Sequence, residues 1–100
     1  MIIYSVTVKI DLDAHDEWFS WMKRNHIPKV LATKKFIDYK MMKVLVDNET
    51  DGITYNIQYR ANTMSDYFDY LNDLSTPLQK EHSERYKDKF VAFRTLLREV

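Results

Sequence analysis

Residues 13–33 read Asp13-Ala14-His15-Asp16-Glu17-Trp18-Phe19-Ser20-Trp21-Met22-Lys23-Arg24-Asn25-His26-Ile27-Pro28-Lys29-Val30-Leu31-Ala32-Thr33. At about 100° per residue, His15, Trp18, Phe19, Met22, His26 and Val30 fall within roughly a third of a turn, so the periodicity predicts an amphipathic helix with that face buried. Asp16, Glu17, Ser20, Lys23 and Arg24 lie mostly outside the arc and form the solvated face. Asp13 is the expected N-cap, and Asp16 and Glu17 put negative charge in the first turn, where the helix dipole favours it. Pro28 breaks the pattern. Inside an unadapted helix a proline removes a hydrogen bond and crowds the carbonyl four residues earlier, at a cost of about 3 kcal/mol. A kink or restart near His26 follows. Either the freed backbone groups help an inward imidazole build a site, or Pro28 only bends the helix around the core.

Outward from this helix the chain alternates between strands and helices. Residues 2–10 place Ile2, Tyr4, Val6, Val8 and Ile10 on one side and Ile3, Ser5, Thr7 and Lys9 on the other, the pattern of a half-buried strand. Residues 36–47 form a second strand, and residues 48–52, ending in Asp51-Gly52, supply turn chemistry for a hairpin. Residues 53–60 alternate again, Ile53, Tyr55, Ile57 and Tyr59 against Thr54, Asn56, Gln58 and Arg60. A short helix starts near Asn62 or Thr63, with Met64, Tyr67, Phe68 and Leu71 on its stripe. Thr76-Pro77-Leu78-Gln79 is a capping box with proline at the first helical position and starts a new helix, whose inward line is Leu78, His82 and Tyr86. Residues 90–97 close the chain as a strand.

The order strand, helix, strand, strand, helices, strand (βαββααβ) is the α+β split βαβ arrangement. It folds as a four-stranded antiparallel sheet with helices on one face, here the face of Val6 and Tyr55. The other face carries Ser5, Thr7, Thr54, Asn56 and Gln58 at its centre. Met41, Leu45, Phe93 and Leu97, or their neighbours, flank it with apolar groups. Such a mixed surface marks an interface, and a second sheet is the expected cover, giving a homodimer.

Composition excludes several functions. Fifteen basic and fifteen acidic side chains cancel, which argues against a nucleic-acid binder or a membrane-surface protein. With no cysteine, thiol catalysis, disulfides and cysteine-ligated zinc are out. No segment reads as a signal peptide or a membrane span, so a cytoplasmic location is expected. One hundred residues without linker or repeat read as one domain over 1–100, large enough to hide roughly 60–70% of the unfolded chain's surface.

The opening Met-Ile-Ile-Tyr-Ser-Val-Thr-Val, the Trp-Phe-Ser-Trp-Met-Lys-Arg-Asn-His-Ile-Pro-Lys-Val-Leu-Ala-Thr segment and the closing Asp-Lys-Phe-Val-Ala-Phe-Arg-Thr-Leu-Leu together resemble a bacterial family, domain of unknown function 4286. The resemblance spans nearly the whole chain, and Trp-x-x-Trp-Met-x-x-x-His-Ile-Pro is its most specific part. Lys34 stands where family members commonly carry glycine. The resemblance brings no activity. It implies a ferredoxin-like architecture similar to the dimeric α/β barrels, a group with cofactor-independent monooxygenases, isomerases, haem-handling proteins and plain ligand binders that use a cleft between helices and sheet.

Site candidates follow from the assigned faces. His15 and His26 are eleven residues apart, about 16 Å along a helix, and cannot share a metal. His26 and His82 could meet across a pocket, but spacing places no acidic third ligand, so neither metal nor cofactor is expected. His26, inward beside Trp18, Met22 and Pro28, is the candidate catalytic base or ligand anchor. Tyr4, Tyr55 and Tyr59 project toward the same space, where their hydroxyls would bond one another and His26 or tip a cavity suited to a flat organic ligand. Trp18, Met22 and His82 complete the expected wall, and Arg94 could anchor a carboxylate. Trp21 is expected at the margin.

Three function classes remain: a small-molecule binder or cofactor-independent enzyme using the helix–sheet cleft, a non-catalytic dimeric module with a filled cleft, and an RNA binder of the RRM type. The last fares worst, because Thr54, Asn56 and Gln58 occupy the open face where stacking aromatics would be needed, and net positive charge is lacking.

Overall fold

A computed structural model describes residues 1–46 and 49–100. The alternating N-terminal stretch is β1 (Ile2–Asp11), followed by a 3-10 turn (Leu12–Ala14), α1 (His15–Trp21), a π-helical turn (Met22–His26) and α2 (Ile27–Ala32). Then come β2 (Asp38–Lys43), β3 (Gly52–Ala61), α3 (Met64–Asp69), a second π-helical turn (Tyr70–Leu74), α4 (Ser75–Arg85) and β4 (Phe90–Arg98). The strands form one antiparallel sheet in the order β2-β3-β1-β4. This is the ferredoxin-like α+β fold, with helices on one face. The described residues include no helix long and apolar enough to cross a membrane.

Period-2 alternation puts Tyr4 opposite Tyr59 and Val8 opposite Tyr55, and these side chains with Ile2, Ile10 and Ile57 are buried beneath the helices. The helices answer with Trp18, Met22, Ile27, Val30, Tyr70 and Tyr86. Each large apolar side chain so hidden contributes about 1.5–3 kcal/mol relative to exposure. On the far face Asn56 Nδ2 donates to Ser5 Oγ at 2.8 Å and to Thr7 Oγ1 at 3.1 Å. Val91, Phe93 and Leu97 of β4 stand exposed beside this polar centre.

Several local expectations change. Asp13 does not cap α1; it lies in the 3-10 turn and accepts from Lys89 Nζ at 2.8 Å. Trp21 is buried, not marginal, packed on Tyr86 with the Arg85 guanidinium 5.3 Å over its ring. The stripe of α3 runs through Met64, Tyr67, Tyr70 and Leu74, leaving Phe68 and Leu71 exposed. Thr63 does cap α3, accepting from the Asp66 N–H at 3.1 Å, but the Thr76 capping box does not open a new helix. The second π-helical turn carries the chain from α3 into α4 without a break, and Ser75 Oγ donates back to the Leu71 carbonyl at 2.7 Å.

The second strand is shorter than expected, and two residues of the expected 36–52 strand and turn, Asp47 and Asn48, lie outside the described residues. Met42, opposite Asn56, takes the open face, whereas Met41, opposite Ile57, faces the helices. Leu45 lies beyond the end of β2, 87% exposed. Lys34 ends the first helical layer at φ 65°, the left-handed conformation glycine favours, and its N–H bonds the Leu31 carbonyl.

Gly52 opens β3 for a reason other than turn chemistry. A Cβ there would lie 2.8 Å from the Ile10 carbonyl oxygen on β1, closer than backbone can yield. Gly52→Ala should therefore cost about 1–3 kcal/mol by overpacking. Urea unfolding checks this, and an unchanged or raised midpoint would contradict the close approach.

Candidate functional site

Both helical layers turn irregular just before a proline. The Ile27 N–H bonds the Met22 carbonyl and the Ser75 N–H bonds the Tyr70 carbonyl, each five residues back. A wider turn of this kind relieves the crowding that Pro28 and Pro77 would cause in a regular helix. It also rotates the helix beyond it, so Ile27 becomes buried and Met22, His26 and Tyr70 border one internal space.

That space is a cavity of about 40 Å³ between helices and sheet. From the helices it is lined by Met22, His26, Val30, Tyr70, Gln79 and His82, and from the sheet by Tyr4, Tyr59 and Arg94 over an apolar floor that includes Val6, Val8 and Ile57. Arg94 is exposed yet lines the cavity, so the space reaches the surface beside β4. Its volume admits a few waters, at about 10–15 Å³ each, and falls well short of the roughly 300 Å³ at which organic-ligand pockets begin. A flat organic ligand, one of the two alternatives the sequence offered, is larger than this.

The polar atoms are set by burial. The fully buried Trp18 donates its indole N–H to His82 Nε2 at 2.9 Å. An indole N–H can only donate, so His82 accepts at Nε2 and carries its proton on Nδ1. His26 lies across from it, ring centroids 5.7 Å apart, with Trp21 at 5.3 Å on its other side. Its Nδ1 is buried without a hydrogen-bond partner. Burial pushes the His26 imidazole down to about 4 against a weaker opposing pull from Glu81. Burial, then His26 and Arg94, pushes His82 down to about 4 as well, so both rings are neutral at pH 7. Burial also raises the phenols of Tyr4, Tyr59 and Tyr70. The Arg94 Nε donates to the Tyr4 hydroxyl at 2.9 Å.

The cavity thus gathers six of the sequence candidates, Tyr4, Met22, His26, Tyr59, His82 and Arg94. Trp18 and Tyr55 do not line it. Trp18 sits behind His82, and Tyr55 lies under the first helix, its hydroxyl 2.7 Å from His15 Nε2 while His15 Nδ1 is 2.8 Å from Asp16. His26 makes no hydrogen bond to Tyr4, Tyr55 or Tyr59 among the described residues; its ring neighbours are Trp21 and His82. Tyr70 and Gln79 were not singled out in the sequence. Gln79 could have been found three residues before His82, whereas Tyr70 is carried inward by a turn that no periodicity announces. The described residues hold no cluster of three or more metal-ligating side chains.

The family model described as a domain of unknown function, DUF4286, matches residues 1–100. The chain belongs to the DUF4286 family. No curated protein matches this DUF4286 chain in sequence. Its fold is similar to an ethyl tert-butyl ether d (ethd) family protein from Bacillus halodurans, at 11% identity and TM-score 0.69, with each chain covered in full. It is similar also to SnoaB, a cofactor-independent oxygenase from Streptomyces nogalater, at 13% identity and TM-score 0.67, covering 98% of this chain and 92% of that one. A dimeric ferredoxin-like protein from an uncultured marine organism aligns at 15% identity and TM-score 0.60, covering 99% and 97%. At these identities the DUF4286 chain shares with them a fold.

The two imidazoles give the domain a defined acid response. Their folded values of about 4 lie below the ordinary 6.5, so between these limits the unfolded chain binds more protons than the folded one. Stability is complete above about pH 6.5 and is lost as pH falls toward 4, by on the order of 3 kcal/mol for each ring at most. The depressed carboxyls of Glu17, Asp38 and Asp51 start from 4.5, 3.8 and 3.8, so their contribution is lost mainly below pH 4.5, beneath most of this window. Melting temperature should fall steadily from pH 6.5 to 4.5, and His26→Gln should flatten the fall. A flat profile in the unmodified protein would mean that the rings are open to protons.

Proposed function

We propose that this DUF4286 protein is a homodimeric, single-domain, small-molecule-binding protein of the cytoplasm, or a cofactor-independent enzyme, that uses the cleft between helices and sheet. The observation that carries it is the cavity holding two neutral imidazoles, with a buried His26 Nδ1 left unpartnered. A buried polar atom without a partner costs about 1–3 kcal/mol, a cost that a bound ligand would remove. With a folded value of about 4 the His26 ring is a weak base at pH 7, so it suits a neutral hydrogen-bonding ligand anchor first, and a general base only where a bound substrate raises that value. The similarity to SnoaB supports a cofactor-independent reaction at the level of fold alone. The narrowness of the cavity favours a second reading, a non-catalytic dimeric module. Native mass spectrometry of freshly purified protein separates the two: a retained small molecule supports the binder, and an empty dimer the module. With a ligand in hand, His26→Gln should keep near-native melting at neutral pH and lose retention; undiminished retention would remove His26 from the site.

The dimer is proposed from the open sheet face. Leu96 and Leu97 are each 41% exposed, but Leu96 is opposite Tyr4 on the helix side and Leu97 opposite Ile3 on the open side. Sedimentation at micromolar concentration should give a species near twice the chain mass of 12.1 kDa. Leu97→Asp should weaken association far more than Leu96→Asp. A clean monomer, or equal effects of the two changes, would sink the proposal.

A further inference from the structure

We infer that the cavity beside Arg94 takes a small carboxylate, of acetate to pyruvate size, with its charged end on the guanidinium and its short body against the apolar floor. This deepens the proposed function and rests on the cleft being a ligand site.

Charge selects the sign of the ligand. Arg94 is the one permanent charge on the cavity wall among the described residues, and no carboxylate lines it. Arg94 stands in the middle of β4, opposite Val6, and none of the ion pairs among the described residues involves it. Its Nε is spent on the Tyr4 hydroxyl, which holds the guanidinium in place. The two Nη groups have no hydrogen-bond partner among the described residues, and a side-by-side pair of N–H donors matches the two oxygens of a carboxylate. The positive charge acts across the whole space: it lowers His26 and His82 and opposes the rise of Tyr4 and Tyr70. Gln79 and the protonated phenols add neutral donors. A cation entering here would meet an unopposed positive charge, and a neutral molecule would leave that charge unused.

Size and lining select the class of anion. About 40 Å³ accommodates a few heavy atoms. Val6, Val8, Ile57 and Ala92 on the floor offer nothing to the outer oxygens of a phosphate, which would lose its hydration against them, whereas a methyl or short acyl group loses nothing there.

The test is an NMR titration of the full chain at pH 7 and constant ionic strength with acetate, propanoate and pyruvate, against acetamide and inorganic phosphate. The carboxylates should produce saturable shifts at the side chains of Gln79 and His82, with acetamide and phosphate at least about tenfold weaker. Arg94→Gln should weaken the carboxylates about 10- to 100-fold, the range for charge-assisted hydrogen bonds, without changing acetamide. Arg94→Lys, which keeps the charge and loses the paired donors, should fall between. Acetamide binding as well as acetate, or phosphate binding better, would overturn the carboxylate assignment while leaving the cleft a ligand site. No shift at Gln79 or His82 with any probe would overturn the cleft itself.

Discussion

Trp18 is hidden completely between sheet and helices, so its indole N–H must find an acceptor inside the protein, and Nε2 of His82 is that acceptor. A buried donor without a partner would cost about 1–3 kcal/mol. The bond therefore constrains more than a single contact. It ties α1 to α4 across 64 residues of chain and fixes the His82 tautomer. It also turns His82's ring toward His26 and Phe90, with centroids at 5.7 and 4.4 Å. Protonating His82 at Nε2 would break the bond, which adds a geometric reason to the burial that keeps the ring neutral. The cavity wall is in this sense a by-product of burying an indole.

The second constraint is proline in a helix. Pro28 and Pro77 each come after a widened turn, and these turns decide which side chains reach the cavity. Here lies the difference between what the sequence disclosed and what it concealed. Strands β1 and β3 were legible because alternation is a two-fold pattern with no free parameter, and their buried and open faces follow residue by residue. In β2 the run Lys40-Met41-Met42-Lys43 is the same read in either direction, so alternation could not choose which methionine faces out. A disturbance near Pro28 was foreseeable from its missing N–H. Its form, an added residue in the turn before it, was not. On an undisturbed wheel Ile27 lies about 180° from Trp18, and the wider turn takes back roughly 100° of that, which is why Ile27 is buried against expectation. Tyr70 is inward where the stripe expected through Phe68 and Leu71 turns outward, because the π-helical turn that begins at Tyr70 shifts the buried line, and no periodicity marked it.

Lys34 and Gly52 show how backbone demands can override residue type in one place and obey it in another. At Lys34 the helix ends in a left-handed residue with a side chain, a conformation that costs about 1–2 kcal/mol outside glycine, and the two backbone bonds at Thr33 and Lys34 to Val30 and Leu31 hold it. At Gly52 the dihedral angles are ordinary, and it is the neighbouring strand that forbids a side chain. Family resemblance in the sequence marked the first position as one where glycine is common. Only the packing of β3 on β1 explains the second, because the conflict is with the carbonyl of Ile10, remote in the chain.

Electrostatically the two faces of the sheet are opposites. The open face has a hydrogen-bonded polar centre flanked by Met42 and the apolar side chains of β4. Lys9 is paired to Asp51, Arg60 is paired to Asp38 and Lys40 stands on the edge strand, so another sheet can cover this surface while its charges stay at the rim. The helix-covered face encloses neutral imidazoles and phenols with one cation at the rim. The two faces share the backbone of β1, where Tyr4 meets Arg94 on one side of the strand and Ser5 meets Asn56 on the other. Because adjacent residues of a strand point to opposite faces and are carried by one rigid backbone, a second sheet packed on the open side would stiffen the position of Tyr4, and with it the guanidinium that Tyr4 orients. Covering the open face would therefore bear on the cavity even though the two surfaces share no side chain.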